Sequence, residues 1–146
     1  MPRHRDPLVS LDVPRDWDNR TIIVFRAPVE GDERAPNLVM TRDRMPEDDD
    51  DLYVYADRQV SDLAKQLRGF ALLGSKEEQV DGQPAITVSF TSDSKDGLLV
   101  QRLTMVQLPD RRVASFTLTS PEVEMNRVAP LFRRIMESVS FEEEEA

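Results

Sequence analysis

The chain has 146 residues, with 28 acidic against 19 basic side chains, one histidine and no cysteine. That length matches one domain able to bury about two-thirds of its unfolded surface, so no staple is required. Absence of cysteine excludes disulfides, thiolate nucleophiles and Cys-ligated zinc, and His4 alone supports neither a serine-histidine-acid site nor a histidine metal cluster. The charge of -9 disfavours nucleic-acid binding, and the acids are concentrated in Glu47 to Asp51 and Glu142 to Glu145, leaving the rest formally neutral.

Residues 1–7 read as a flexible N-terminus without an apolar export core, residues 8–141 as one α+β domain, and residues 142–146 as an acidic, solvated tail. No run is long and apolar enough for a membrane span, so the expectation is a cytoplasmic protein with no direct membrane insertion. No cofactor and no metal site is expected.

Leu8 to Val13 reads as a short edge strand, and Thr21 to Phe25 as a stronger one because it is rich in β-branched and aromatic residues. A further strand is expected from Asn37 to Thr41. From Leu52 the period changes: Leu52, Ala56, Val60, Leu63 and Leu67 form one helical stripe that Gly69 ends. The acidic run before it serves as a helix cap. It lacks the alternating ligands and central glycine of an EF-hand loop.

A meander follows, with strands at Leu72 to Val80, Ala85 to Thr91, Leu98 to Leu108 and Val113 to Thr119, punctuated by Asp81-Gly82, Asp96-Gly97 and Pro109-Asp110. Ser120-Pro121-Glu122 opens a last helix whose apolar face is Val128, Leu131, Phe132, Ile135 and Val139. Pro130 is harmless if the regular helix starts near Asn126 and kinks it otherwise. Trp17 reads as a structural anchor beside the second strand.

Alternation sorts the strands onto two faces. The core set is Ile23, Phe25, Leu38, Met40, Ile86, Val88, Phe90, Val100, Val106, Phe116 and Leu118. The opposite set is Ile22, Val24, Asn37, Val39, Thr41, Thr87, Ser89, Thr91, Gln101, Leu103, Met105, Gln107, Ser115, Thr117 and Thr119. It mixes aliphatics with hydroxyls and amides and carries no charge, as suits an apolar helix with small polar groups. Helices or a second copy of the sheet could equally cover it, since threonine also favours strands.

Several strings recur in one family in this order: Asp18-Asn19-Arg20-Thr21, Asn37 to Asp43, Tyr55-Ala56-Asp57-Arg58-Gln59, Leu67-Arg68-Gly69-Phe70, Val80 to Ala85, Gln101 with Gln107, Phe116 to Thr119, and Phe132 to Phe141. The chain resembles the DcrB-like family, in particular the effector-associated (Eag) chaperones of bacterial type VI secretion. The resemblance implies a Mog1/PsbP-like fold, an antiparallel β-sheet with helices packed on one face, paired as a homodimer. It further implies a non-catalytic chaperone that shields the hydrophobic N-terminal helices of a secreted effector before loading onto the secretion spike. Client contacts would fall on Ile22, Val24, Val39, Thr41, Gln59, Gln101 and Leu103.

Departures from the family are Phe90 or Thr91 where tryptophan is common, and the acidic tail. The rival readings are a DcrB- or Mog1-like binding module with another partner, an interaction module whose face forms the homodimer, and an enzyme pairing Asp43 with the acidic run. The last would need a pocket that drives two carboxyl pKa values apart.

Overall fold

In a computed structural model, residues 14–16, 22–27, 35–46 and 51–141 are described. Residues 1–7, His4, Leu8 to Val13, Trp17, residues 47–50 and residues 142–146, on which expectations were placed above, lie outside them.

Chain order is β1 (Ile23–Arg26), β2 (Asn37–Arg44), α1 (Leu52–Gln66), β3 (Ala71–Val80), β4 (Gln83–Ser94), β5 (Gly97–Gln107), β6 (Arg112–Pro121), a 3-10 turn (Glu122–Glu124) and α2 (Met125–Glu137). The strands form one antiparallel sheet in the order β1-β2-β6-β5-β4-β3, so the meander β3 to β6 is intact and β2 returns to pair with β6. The Asp81-Gly82 turn has both residues at positive φ, the geometry that matches strand twist in a two-residue hairpin.

Asp51 caps α1, its Oδ1 accepting the Val54 amide at 3.0 Å. At the far end Gly69 has φ +67°, and the Asp93 amide donates to the Arg68 carbonyl at 2.8 Å, which fastens the helix exit to β4. Regular helix α2 begins at Met125, which puts Pro130 in its second turn. There it removes a donor to the Asn126 carbonyl, and both residues are exposed, so water can take that acceptor.

The α+β class with an antiparallel sheet stands, but the two helices lie on opposite faces of it. One core joins Leu52, Tyr55 and Ala56 of α1 to Ile86, Val88 and Phe90 of β4, Leu103 and Met105 of β5, Val113 and Met45. The other joins Val128 and Phe132 of α2 to Leu38, Val80, Ala85, Val106, Ala114, Phe116 and Leu118. Odd-numbered β6 residues meet the α1 side and even-numbered ones the α2 side, so the alternation requires this arrangement. Each helix has its own apolar stripe, and a sheet apolar on both faces accommodates one on either side.

Register also corrects the sorting of β4. Val88 pairs with Leu103 and Phe90 with Gln101, which places Ile86, Val88 and Phe90 on the face with Leu103 and Met105. Thr87, Ser89 and Thr91 fall on the α2 face instead. Thr87 and Thr104 are buried there with hydroxyl oxygens 2.8 Å apart, and the Thr87 hydroxyl lies 2.8 Å from Glu78 Oε1. Satisfied hydroxyls are tolerated in a core, so polarity misreads this strand. Phe25, expected in the core, is 42% exposed on the edge strand.

Candidate client-binding slot

The α1 face is only half covered. Rows of directly paired residues cross β1, β2, β6 and β5 in sequence. One runs Arg26, Asn37, Thr119, Gln101, and the next Val24, Val39, Thr117, Leu103. A third runs Thr41, Ser115, Met105, and a fourth Asp43, Val113, Gln107. Helix α1 lies over β4 and β5, whereas Val24 is 61% exposed and Asn37, Val39, Thr41, Thr117, Thr119 and Gln101 are half-buried. Between Arg26 at one end and Asp43 at the other, no described residue on the open floor over β1, β2 and β6 carries a charged side chain.

One wall of this slot is the flank of α1. The Tyr55 hydroxyl donates to Asp43 Oδ2 on β2 at 2.9 Å, and Tyr53, on the opposite flank, donates to Glu77 on β3. Gln59 lies one turn beyond Tyr55 on the same flank and is half-buried, so it borders the slot. Three adjacent strands span about 10 Å, close to the diameter of one helix.

At one end of the floor Gln101 Nε2 donates to Thr119 Oγ1 at 2.9 Å, and the Ser92 hydroxyl lies 3.5 Å from Gln101 Oε1. Beyond it an open depression of about 310 Å³ is lined by Asn37, Leu99, Thr119, Pro121 and the β4–β5 turn at Ser94, Lys95 and Asp96. Near the other end Asp43 accepts from both Tyr55 and the Arg44 amide, so its carboxylate ties β2 to α1. Among the described residues no group of three or more His, Cys, Asp or Glu side chains is placed to hold a metal ion.

Of the residues singled out from sequence, Val24, Val39 and Thr41 share the slot floor, Gln101 borders it on β5 beside Thr119, and Gln59 lines its wall. Ile22 immediately precedes β1 and is exposed. Leu103 shares the face but is 8% exposed beneath α1, which makes it a core residue in the free chain. Thr117 lies at the centre of the floor, between Val39 and Leu103, and is a slot residue outside the client contacts that the resemblance implies.

The chain is an α+β domain with a PsbP-like fold, a six-stranded antiparallel sheet that carries one helix on each face rather than both on one. The chain belongs to the DcrB family, whose description matches residues 9–138. It is 25% identical over 132 residues to the Pseudomonas aeruginosa protein named Effector EagT6, covering 89% of each chain. A P. aeruginosa protein of unknown function, PA94, shares the fold with a TM-score of 0.79 at 23% identity over 92% of both chains. LpqN, involved in cell envelope biogenesis of Mycobacterium tuberculosis, gives 0.62 at 14% identity over 83% of this chain and 84% of LpqN. The PsbP of Synechocystis sp. PCC 6803, CyanoP, gives 0.56 at 19% identity over 80% and 79%. These three likenesses concern the fold alone.

Proposed function

We propose that this protein is a non-enzymatic, cytoplasmic chaperone, working as a homodimer, that holds a hydrophobic, transmembrane-like N-terminal helix of a type VI secretion effector until it is loaded onto the secretion spike. The observation that carries this reading is the open floor beside α1, which is uncharged among the described residues between Arg26 and Asp43. The likeness to Effector EagT6 over most of both chains supports the link to effectors.

The slot suits one helix. From Asn37 to Asp43 the floor runs about 20 Å at 3.3 Å per residue, the length of a helix of about 13 residues at 1.5 Å each. Val24 and Val39 offer apolar contact, and apolar surface removed from water gains about 25 cal/mol per Å². Thr41, Thr117, Thr119 and Gln101 offer hydroxyl and amide groups to small polar residues of the client, the kind of contact that joins helices within membranes. Among the described floor residues between Arg26 and Asp43, an anionic ligand would find no positive charge.

The test is titration of the purified chain with a helix of about 13 Leu, Ala and Ser residues fused ahead of a soluble carrier domain. Saturable binding, with none for a control helix in which the leucines are replaced by lysine and serine, is expected. Equal binding of both helices, or of neither, contradicts the reading.

A further inference from the structure

The β5–β6 hairpin turns through Asp110 and Arg111, with φ of +63° and +62°. The loop holds three residues, Pro109, Asp110 and Arg111, closed by the Leu108 amide donating to the Arg112 carbonyl at 2.8 Å, and the left-handed residue that ends such a loop is usually glycine because a β-carbon is crowded there. The β3–β4 turn follows that preference with Asp81 and Gly82, whereas β5–β6 carries an arginine.

The arginine is fastened to the end of β2. Its carbonyl accepts the Met45 amide at 2.7 Å, its Nε donates to the Met45 carbonyl at 3.4 Å, and its guanidinium NH2 group donates to the Pro46 carbonyl. Met45 is buried in the core that seats α1, beside Leu52, Tyr55, Ala56 and Val113. Met45 and Pro46 are also where the chain leaves β2 on its way to α1.

We propose that Arg111 is a positioning residue for the slot, its strained turn holding the guanidinium against the β2–α1 corner and so fixing where α1 begins and how wide the slot stands beside it. This rests on the client-binding reading of the slot. The floor is a hydrogen-bonded sheet and cannot widen by itself, so slot width depends on the α1 wall. That wall is held by its apolar stripe, by Tyr55 on Asp43, by the Arg68–Asp93 backbone bond at its far end, and by this corner. The corner is the tether that precedes the wall residues Tyr55 and Gln59 in the chain. An unfastened corner lets the first turn of α1 shift relative to Val39 and Thr41.

Arg111→Gly separates the guanidinium from the turn, because glycine adopts this φ without penalty. The chain lacks cysteine, so Ser61→Cys on the exposed side of α1 and Arg26→Cys on β1 accept nitroxide labels without background. In Arg111→Gly the label–label distance distribution is expected to broaden. Amide exchange at Met45 and from Leu52 to Ala56 should quicken about tenfold while β4 and β5 stay protected, and affinity for the Leu/Ala/Ser helix should fall about tenfold. Arg111→Lys, keeping one cationic donor, should fall between.

Unchanged distances and exchange in Arg111→Gly overturn the positioning role whatever the helix does. A wild-type chain that fails to bind the helix overturns the client reading alone, and the distance and exchange results still decide whether Arg111 sets the place of α1.

Discussion

Val24→Asp places a carboxylate on the slot floor at the residue where fold and binding are most separable. Val24 is 61% exposed on a four-residue edge strand, so the substitution removes little packing from the free chain. Its folding cost should stay within the roughly 1 kcal/mol spread of strand propensities. Binding is different. Full burial of a valine side chain is worth about 1.5–3 kcal/mol, and the exposed fraction leaves roughly 1–2 kcal/mol for the client to gain. A carboxylate under an apolar helix adds an effective desolvation penalty of several kcal/mol. The sum exceeds about 3 kcal/mol, or more than a hundredfold in dissociation constant. Val24→Ala loses only part of the transfer gain and should weaken binding about fivefold. Calorimetric titration with the apolar helix, beside urea unfolding of each variant, reads both quantities. Binding of Val24→Asp within threefold of wild type, or a loss of stability above about 2 kcal/mol, would refute the reasoning.

Further outcomes follow from other parts of the structure. Gln101→Leu removes the bond to Thr119 but leaves that hydroxyl half-exposed to water, so the fold should persist while preference for a serine-bearing helix over an all-leucine one drops about threefold on titration. Gly69→Ala meets φ +67° and would drive a β-carbon into the Asp93 carboxylate. It should cost about 1–3 kcal/mol by urea unfolding, and adding Asp93→Ala should recover only the steric part, leaving about 1 kcal/mol from the backbone. The Tyr53 phenol is pushed above its ordinary value of 10.0 by its hydrogen bond to Glu77, with burial and the charges of Glu77 and Asp51 acting the same way. Its raised folded-state pKa means that the stabilising contact is present below pH 10 and lost as pH rises through the folded value. In a Tyr55→Phe background, ultraviolet titration should show Tyr53 ionising late, and Glu77→Gln should bring it back towards 10; an unchanged curve refutes that cause.

Much of this architecture can be read from local pattern. The apolar stripe from Leu52, the Asp81-Gly82 turn and the β-branched runs place α1 and the meander, because each carries a period or a turn preference that needs no partner. What pattern cannot supply is pairing. Thr87 looks like a surface residue, and only the register with Thr104 and the reach of Glu78 reveal a buried, satisfied hydroxyl. Leu103 looks like a client contact until α1 is seen to lie over it. The same gap hides the placement of the helices on opposite faces, since two amphipathic helices say that the sheet has apolar surface without saying on which side each packs. The slot itself was half-legible: Val24, Val39, Thr41 and Gln101 alternate correctly within their strands, whereas the vacancy beside α1 follows from helix position. Arg111 carries no sequence signal beyond an arginine after Pro109-Asp110, and its importance rests on a backbone angle and on Met45, distant in the chain.

The central claim is that a hydrophobic helix occupies the floor over β1, β2 and β6 beside α1. Cross-saturation from the protonated Leu/Ala/Ser helix to the deuterated, isotope-labelled chain tests it residue by residue. The account predicts transfer to Val24, Val39, Thr41, Thr117 and Gln101, weaker transfer to Gln59, and none to Leu118 or Phe132 in the α2 core. Transfer confined to the α2 face or to the outer edge of β3, with the floor silent, would contradict it.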